Sequence, residues 1–153
     1  MLTLPVREGP TPRTTTTAPH QQLDQTPPPA VYAALKARAF DFASVERRHS
    51  IISVPGAEAL WLIEEPEERC ADAFLVGNEF AHVHPPYDGS LHMMLPRAEV
   101  HQVLEGGWGE LHPLALEGLI PPTAVMIFGP RDQPEVEVVL DIIAASHRFA
   151  LGR

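Results

Sequence analysis

With a single cysteine, Cys70, among its 153 residues, the chain can form no internal disulfide and fits a reducing, cytoplasmic setting. No apolar run approaches the ~18 residues of a membrane-spanning helix. The opening "MLTLPVREGPTPRTTTT" has neither a long apolar stretch nor a small-residue cleavage site, which argues against a secretory signal. Positive charge is scarce as well. Eleven Lys and Arg face twenty Asp and Glu, a formal charge of −9. That field repels nucleic acid and anionic membrane, and the densest basic spot, Glu46-Arg47-Arg48, is too small to offset it. A small molecule is the partner these exclusions leave, together with a second copy of the chain, since one uncovered sheet edge suffices for a homodimer.

Hydrophobic residues make up 44 % of the chain, enough for one core. Residues 1–26 hold Pro5, Pro10, Pro12, Pro19 and the run Thr14 to Thr17, and this composition predicts a disordered tail. Residues 27–153 then read as a single α+β domain. "TPPPAVYAALKARAF" switches to helix chemistry, with Thr26 as a cap and Val31, Leu35 and Ala39 at every fourth position. "SIISVPGAEALWLIE" reads as two strands about Pro55-Gly56, and "ADAFLV" with "EFAHVH" as a hairpin about Gly77-Asn78. "SLHMML" is the next strand, "PRAEVHQVLEGG" a helix stopped by glycine, "WGELHPLALEGLIPP" a loop and "TAVMIF" a strand. In "RDQPEVEVVLDIIAASHRFA", Asp132 caps a helix whose stripe is Val136, Val139, Leu140 and Ile143. The fold class is α+β: a mainly antiparallel sheet with helices packed on one face.

The chemistry concentrates in "AHVHPPYDGSLHMML", Ala81 to Leu95. Side chains alternate across a strand, and Ala81, Val83, Leu91, Met93 and Leu95 are odd-numbered and apolar. Phe80, His82, His84, Ser90, His92 and Met94 are even-numbered and hold the polar groups. With Pro85 to Gly89 as the loop, His84 falls opposite Ser90 and His82 opposite His92, so three imidazoles share one face. Imidazoles so placed can converge on a divalent metal such as zinc. They serve equally as acid–base groups or as donors to an anion, and each opposed ring depresses its neighbour's pKa. Glu110 and His112 lie in a loop that can return over this face, as a carboxylate partner and a fourth imidazole. Trp108 either anchors that loop or lines a pocket. Arg131, at a helix N-terminus, can hold a phosphate or carboxylate with free backbone N–H groups. Ser90 stands beside His84 without the glycine elbow of a serine nucleophile. His20 and His49 attract no role.

From about Ala73 to Arg148, "AHVHP", "DGSLHMML", "GWGELHPL" and "VMIFGPRD" occur in an order that resembles a bacterial and fungal domain family labelled "luciferase"; the first 50 residues take no part. The resemblance draws attention to His82, His84, Ser90, His92, Trp108, Glu110, His112, Arg131 and Asp132. The label does not imply a flavin or a nucleotide here. The chain is shorter than the ~250 residues of a flavin-dependent (β/α)8 barrel, and it has no Gly-rich phosphate loop.

Three functions are therefore open. One is a small-molecule enzyme with His82, His84, His92, Glu110 and His112 as catalytic groups or, for the first three, metal ligands, and with Arg131, Ser90 and Trp108 binding the substrate. Another is a cupin-like metal protein, since "HVHPPYD" has the spacing of His-x-His followed by an acid. The third is a non-catalytic anion-binding or assembly domain.

Overall fold

Alternation of oily and polar side chains has built the hairpin it implies. In the computed structural model, which describes residues 2–153, β3 (Glu79–Val83) and β4 (Leu91–Met94) pair antiparallel with Ala81 opposite Met93, His82 opposite His92 and Val83 opposite Leu91. Four more strands extend the sheet: β1 (Val45–His49), β2 (Glu58–Leu62), β5 (Gly109–Leu111) and β6 (Ala124–Ile127). The order is β1-β2-β3-β4-β6-β5, every pair antiparallel. The sheet is open from β1 to β5, so the cupin-like expectation is overturned: no barrel closes.

Helix α4 (Gln133–Leu151) begins at Asp132, whose side chain accepts the Glu135 N–H at 3.0 Å, and ends on Gly152 in the left-handed conformation. Its Val136, Val139, Leu140, Ile142 and Ile143 pack with Ala81, Val83, Leu91, Met93, Val125 and Ile127 in one core. Helix α1 (Pro29–Ala39) adds Tyr32, Leu35 and Ala39, and α2 (Arg97–Gly106) adds Val100 and Val103. Burying side chains of this size contributes about 1.5–3 kcal/mol each. The α+β class read from the sequence therefore holds. Among the described residues no helix is long and apolar enough to cross a membrane.

Local expectations fail where tertiary pairing overrides pattern. The first strand lies at Val45–His49 and not in "SIISV", which forms bends whose backbone closes on Ala57. "ADAFLV" is a 3-10 turn at Ala71–Ala73 with a single bridge, Val76 to Glu79. Helix α1 is entered through Pro28 with no side-chain cap, so Thr26 does not cap it. The stretch expected as one loop after Trp108 contains β5 and a short helix, α3 (Pro113–Leu116).

The Pro/Thr-rich segment, expected as a disordered tail, makes defined contacts: Leu2 joins the core on the α4 side, Glu8 O accepts from Arg131 at the start of α4, and Thr14 and His20 meet Glu110 and His92 on the opposite face. Leu2 is buried, Arg7 N–H donates to Gly106 O at 2.9 Å, and Thr14 bridges to Gln22. Composition counts apolar side chains, whereas this segment is held by hydrogen bonds to buried polar groups. Its prolines also lower the entropy lost on ordering.

Candidate functional site

Hairpin geometry sets the floor of the site. His84 N–H donates to Ser90 O at 2.9 Å, and the Pro85–Gly89 loop closes by Gly89 N–H to Pro85 O at 2.8 Å. Gly89 has φ +72°, and a Cβ there would run into Pro27, so the turn needs glycine. Pairing then lines up Ala59, His82, His92, Met126 and Glu110 across β2, β3, β4, β6 and β5 on one face. His112 follows β5, its N–H donating to Ala124 O at 3.1 Å. The small Ala124 leaves room for its ring, whose centroid is 5.0 Å from that of His92. Thus His82, His84, His92, Glu110 and His112 are brought together, the last two by a strand and not by a returning loop.

A β-bulge adds a residue that parity placed on the wrong side. Leu60 pairs with Ala81 but Trp61 with Glu79, which leaves Phe80 unpaired. The extra residue reverses alternation. Phe80 enters the core although it is even-numbered, and Glu79, odd-numbered and 1 % exposed, turns to the imidazole face. There its Oε2 is 2.8 Å from His82 Nδ1 and accepts from Ser50 Oγ at 2.9 Å. On the other side His84 Nδ1 lies 3.0 Å from Asp88 Oδ2 and 3.1 Å from Ser90 Oγ. Asp88 Oδ1 in turn accepts the Ser90 backbone N–H at 2.9 Å and the Ser90 hydroxyl.

His20, given no role by sequence, is 2 % exposed and sits over this floor. Its Nδ1 is 2.9 Å from His92 Nε2, and its Nε2 is 3.5 Å from Glu110 Oε2, a long electrostatic contact. Thr14 Oγ1 donates to Glu110 Oε1 at 2.8 Å and holds that carboxylate in place. His20 belongs to no helix or strand period, so no pattern marks it. Asp88 and Glu79 did have a local signal, lying four residues after His84 and three before His82.

Burial dominates the electrostatics. It pushes the imidazolium of His82 down, an effect the Glu79 hydrogen bond only partly opposes. It pushes His92 well below the ordinary value, with repulsion from His82, His84, His20 and His112 acting the same way. His112 falls to about 4, first through burial and then through its charged-form repulsion with His20, His82 and His84. Burial would raise Asp88, but hydrogen bonds from His84 and Ser90 outweigh it and hold the carboxyl below the usual range. For Glu110 the close approach of His20 and the hydrogen bond from Thr14 likewise outweigh burial. Neutral His82, His92 and His112 beside ionised Asp88 and Glu110 are thus the state these effects favour at neutral pH.

Above the imidazoles opens a cavity of about 490 Å³. His20, His82, His84, His92 and His112 form its polar end, and Pro19, Ile52, Val54, Leu75, Leu114 and Ile120 line much of the rest, with no lysine or arginine. Three residues expected to bind substrate lie elsewhere. Ser90 is fully buried behind His84. Trp108 is packed in the core, and its indole N–H donates to Pro5 O at 2.7 Å. Arg131 borders a separate groove with Asp132 and Trp108, and its guanidinium is paired with Glu135 at 2.5 to 3.1 Å.

The Luciferase domain family matches residues 77–146, which include every strand and loop contributing to the floor except β2. Luciferases of Armillaria gallica and Armillaria mellea are each 33 % identical over 159 residues, covering 94 % of this chain and 59 % of the relative. A luciferase of Neonothopanus nambi is 41 % identical over 70 residues, 44 % of this chain and 26 % of the relative. The chain therefore spans about three-fifths of the length of the Armillaria relatives. At 94 % coverage the likeness takes in most of the first 50 residues, which the motifs had set aside. No solved structure matches the chain.

Proposed function

We propose that this chain, whose residues 77–146 match the Luciferase domain family, is an enzyme of that family acting on a compact, largely apolar small molecule. The molecule enters the 490 Å³ cavity and presents its reactive end to the imidazole floor. The observation that carries this reading is the pairing of an apolar enclosure with five histidines at one end of it. His82, His84 and His92 form the reactive centre, Glu110 orients His20, and His112 points a ring nitrogen inward. The relatives are named luciferases, so oxygen consumption and light are among the outputs to assay.

A non-catalytic anion site is less well supported. The cavity has no cationic side chain, and its burial disfavours imidazolium. Arg131 also opens on a different groove. Phosphorylated substrates are disfavoured for the same reasons.

The test combines a small-molecule thermal-shift screen with turnover assays on the hits. Leu75→Trp, which fills the cavity, and His92→Ala, which removes a floor residue, should each abolish turnover while the far-ultraviolet circular dichroism is retained. If both variants turn over substrate at wild-type rates, the site lies elsewhere.

A further inference from the structure

Carboxylate partners place the ring proton of His82 and of His84, and the pattern points beyond a generic imidazole cluster. A carboxylate only accepts. Glu79 therefore places the proton of His82 on Nδ1, and Asp88 does the same for His84. In both neutral rings Nε2 then bears the free lone pair. Both Nε2 atoms lie 3.1 Å from one further atom, Nδ1 of His92.

His92 completes the set if its proton resides on Nε2, where it donates to His20 Nδ1 at 2.9 Å. His20 then carries its proton on Nε2, facing the Glu110 carboxylate at 3.5 Å. This arrangement gives all three rings a lone pair on the inner side and an acceptor on the outer side. Two acceptors are direct carboxylates, and the third is His20 Nδ1, whose own buried Nε2 has no hydrogen-bond partner and faces the Glu110 carboxylate across 3.5 Å. Three nitrogens bound at about 2.0–2.1 Å in a tetrahedral site stand ~3.3 Å apart, so the 3.1 Å separations need only a slight opening.

The geometry points to a divalent transition-metal site with His82 Nε2, His84 Nε2 and His92 Nδ1 as ligands, and with Glu79, Asp88 and the His20–Glu110 pair as its outer support. Three nitrogens with no oxygen donor suit zinc, iron, cobalt, nickel or copper and not calcium or magnesium. The same three histidines line the cavity, so a ligand there could reach an ion they held. A second trio, His20, His92 and His112, also has ligand atoms within 4.8 Å of one another, but one backbone group rules it out. Leu114 N–H donates to His112 Nδ1 at 3.0 Å, so neutral His112 carries its proton on Nε2 and offers no lone pair to the cluster. His112 is instead a fixed N–H donor toward whatever occupies the cavity. His20 becomes a positioning residue: it acts on the ion through the tautomer of His92. The site rests on the pocket proposed above but not on any reaction there.

The test uses the full-length chain without a histidine tag, stripped with chelator and titrated with Co(II) and Zn(II). One equivalent should bind, and the Co(II) complex should show the visible absorption of a nitrogen-rich site of low coordination number. Alanine at His82, His84 or His92 should weaken Zn(II) binding more than 100-fold. Glu79→Gln, Asp88→Asn and His20→Ala should each weaken it by about 10- to 100-fold, and His20→Ala should also shift the Co(II) spectrum. His112→Ala should leave stoichiometry unchanged and affinity within about threefold.

Because a floor variant can lose its fold, ¹⁵N spectra of wild-type imidazoles supply a second reading. Zinc should shift His82 Nε2, His84 Nε2 and His92 Nδ1, while His112 keeps its Nε2 proton. Absence of stoichiometric metal, or loss of binding in His112→Ala as deep as in His92→Ala, overturns the site. Turnover by a metal-free protein would leave the enzyme proposal standing while this one fails. Wild-type binding with an unaffected His20→Ala would remove only the relay.

Discussion

Two depressions on this molecule drew attention from sequence, and they differ in what their polar groups have left to do. Beside α4, Arg131 stands at a helix start that suits an anion. Yet its guanidinium meets both oxygens of Glu135 and the Glu8 carbonyl, and Asp132 occupies the capping position. Arg131 and Glu135 answer each other there and Asp132 is engaged as a cap, and the result is a clasp between the N-terminal segment and α4. At the hairpin the outer ring nitrogens are answered by carboxylates, but the inner ones converge on each other under an apolar roof. Residue type did not separate the two places. Unanswered lone pairs did.

Experiments that perturb one region and read the other bear on this contrast. The largest effect expected is from Trp108→Ala. Truncating a buried tryptophan costs about 3–5 kcal/mol, so urea unfolding should show that loss, while Zn(II) affinity of the folded protein stays within a few-fold. A matching loss of affinity would mean that the two regions are one unit.

Next is ligand-linked stability. Zinc at 1,000 times its Kd stabilises by about 4 kcal/mol, which should raise the wild-type melting temperature clearly and that of His92→Ala not at all. An equal rise in both would place the metal away from the hairpin.

The pH dependence of the metal-free protein follows with a definite sign. His82, His92, His112 and His147 have folded values below their unfolded one near 6.5, chiefly through burial. Below 6.5 the unfolded chain therefore takes up more protons than the folded chain, and stability falls with falling pH. For His112 this loss runs from about 6.5 down to about 4. The melting temperature should drop across that window before Asp88 and Glu110 titrate, and added zinc should flatten the drop. A flat melting temperature from pH 7 to 5 without metal would contradict buried neutral imidazoles.

The smallest effect belongs to Arg131→Ala. It leaves Glu135 poorly paired and should cost about 1–2 kcal/mol, with metal affinity and turnover unchanged. Lost turnover would restore Arg131 as a substrate anchor.

Much of this was legible locally. Strand parity alone put His82, His84 and His92 on one face with the right cross-strand partners, because alternation is a property of the backbone and one face had to be oily. Helix α4 was equally clear from its Asp132 cap and its stripe of Val136, Val139, Leu140 and Ile143, while its stop at Gly152 came from the structure. Parity misassigned Phe80 and left Glu79 out of the site, since a bulge depends on the neighbouring strand and not on its own residues. His20 was invisible for a stronger reason. A segment without a repeating pattern shows no face, and what holds it is a set of partners 66 to 107 residues away, among them His92, Asp88, Glu110 and Gly129.

The chain by itself therefore determined the α+β layout, the oily face and the convergence of three imidazoles, each resting on spacing of a few residues along the backbone. Only the tertiary structure decided that the Pro/Thr-rich segment roofs the site, that Glu79 and Asp88 stand behind the rings and that His112 is a donor. Those outcomes depend on which polar groups meet once distant strands are paired, and hydrogen bonds of that kind leave no periodic trace in the order of residues.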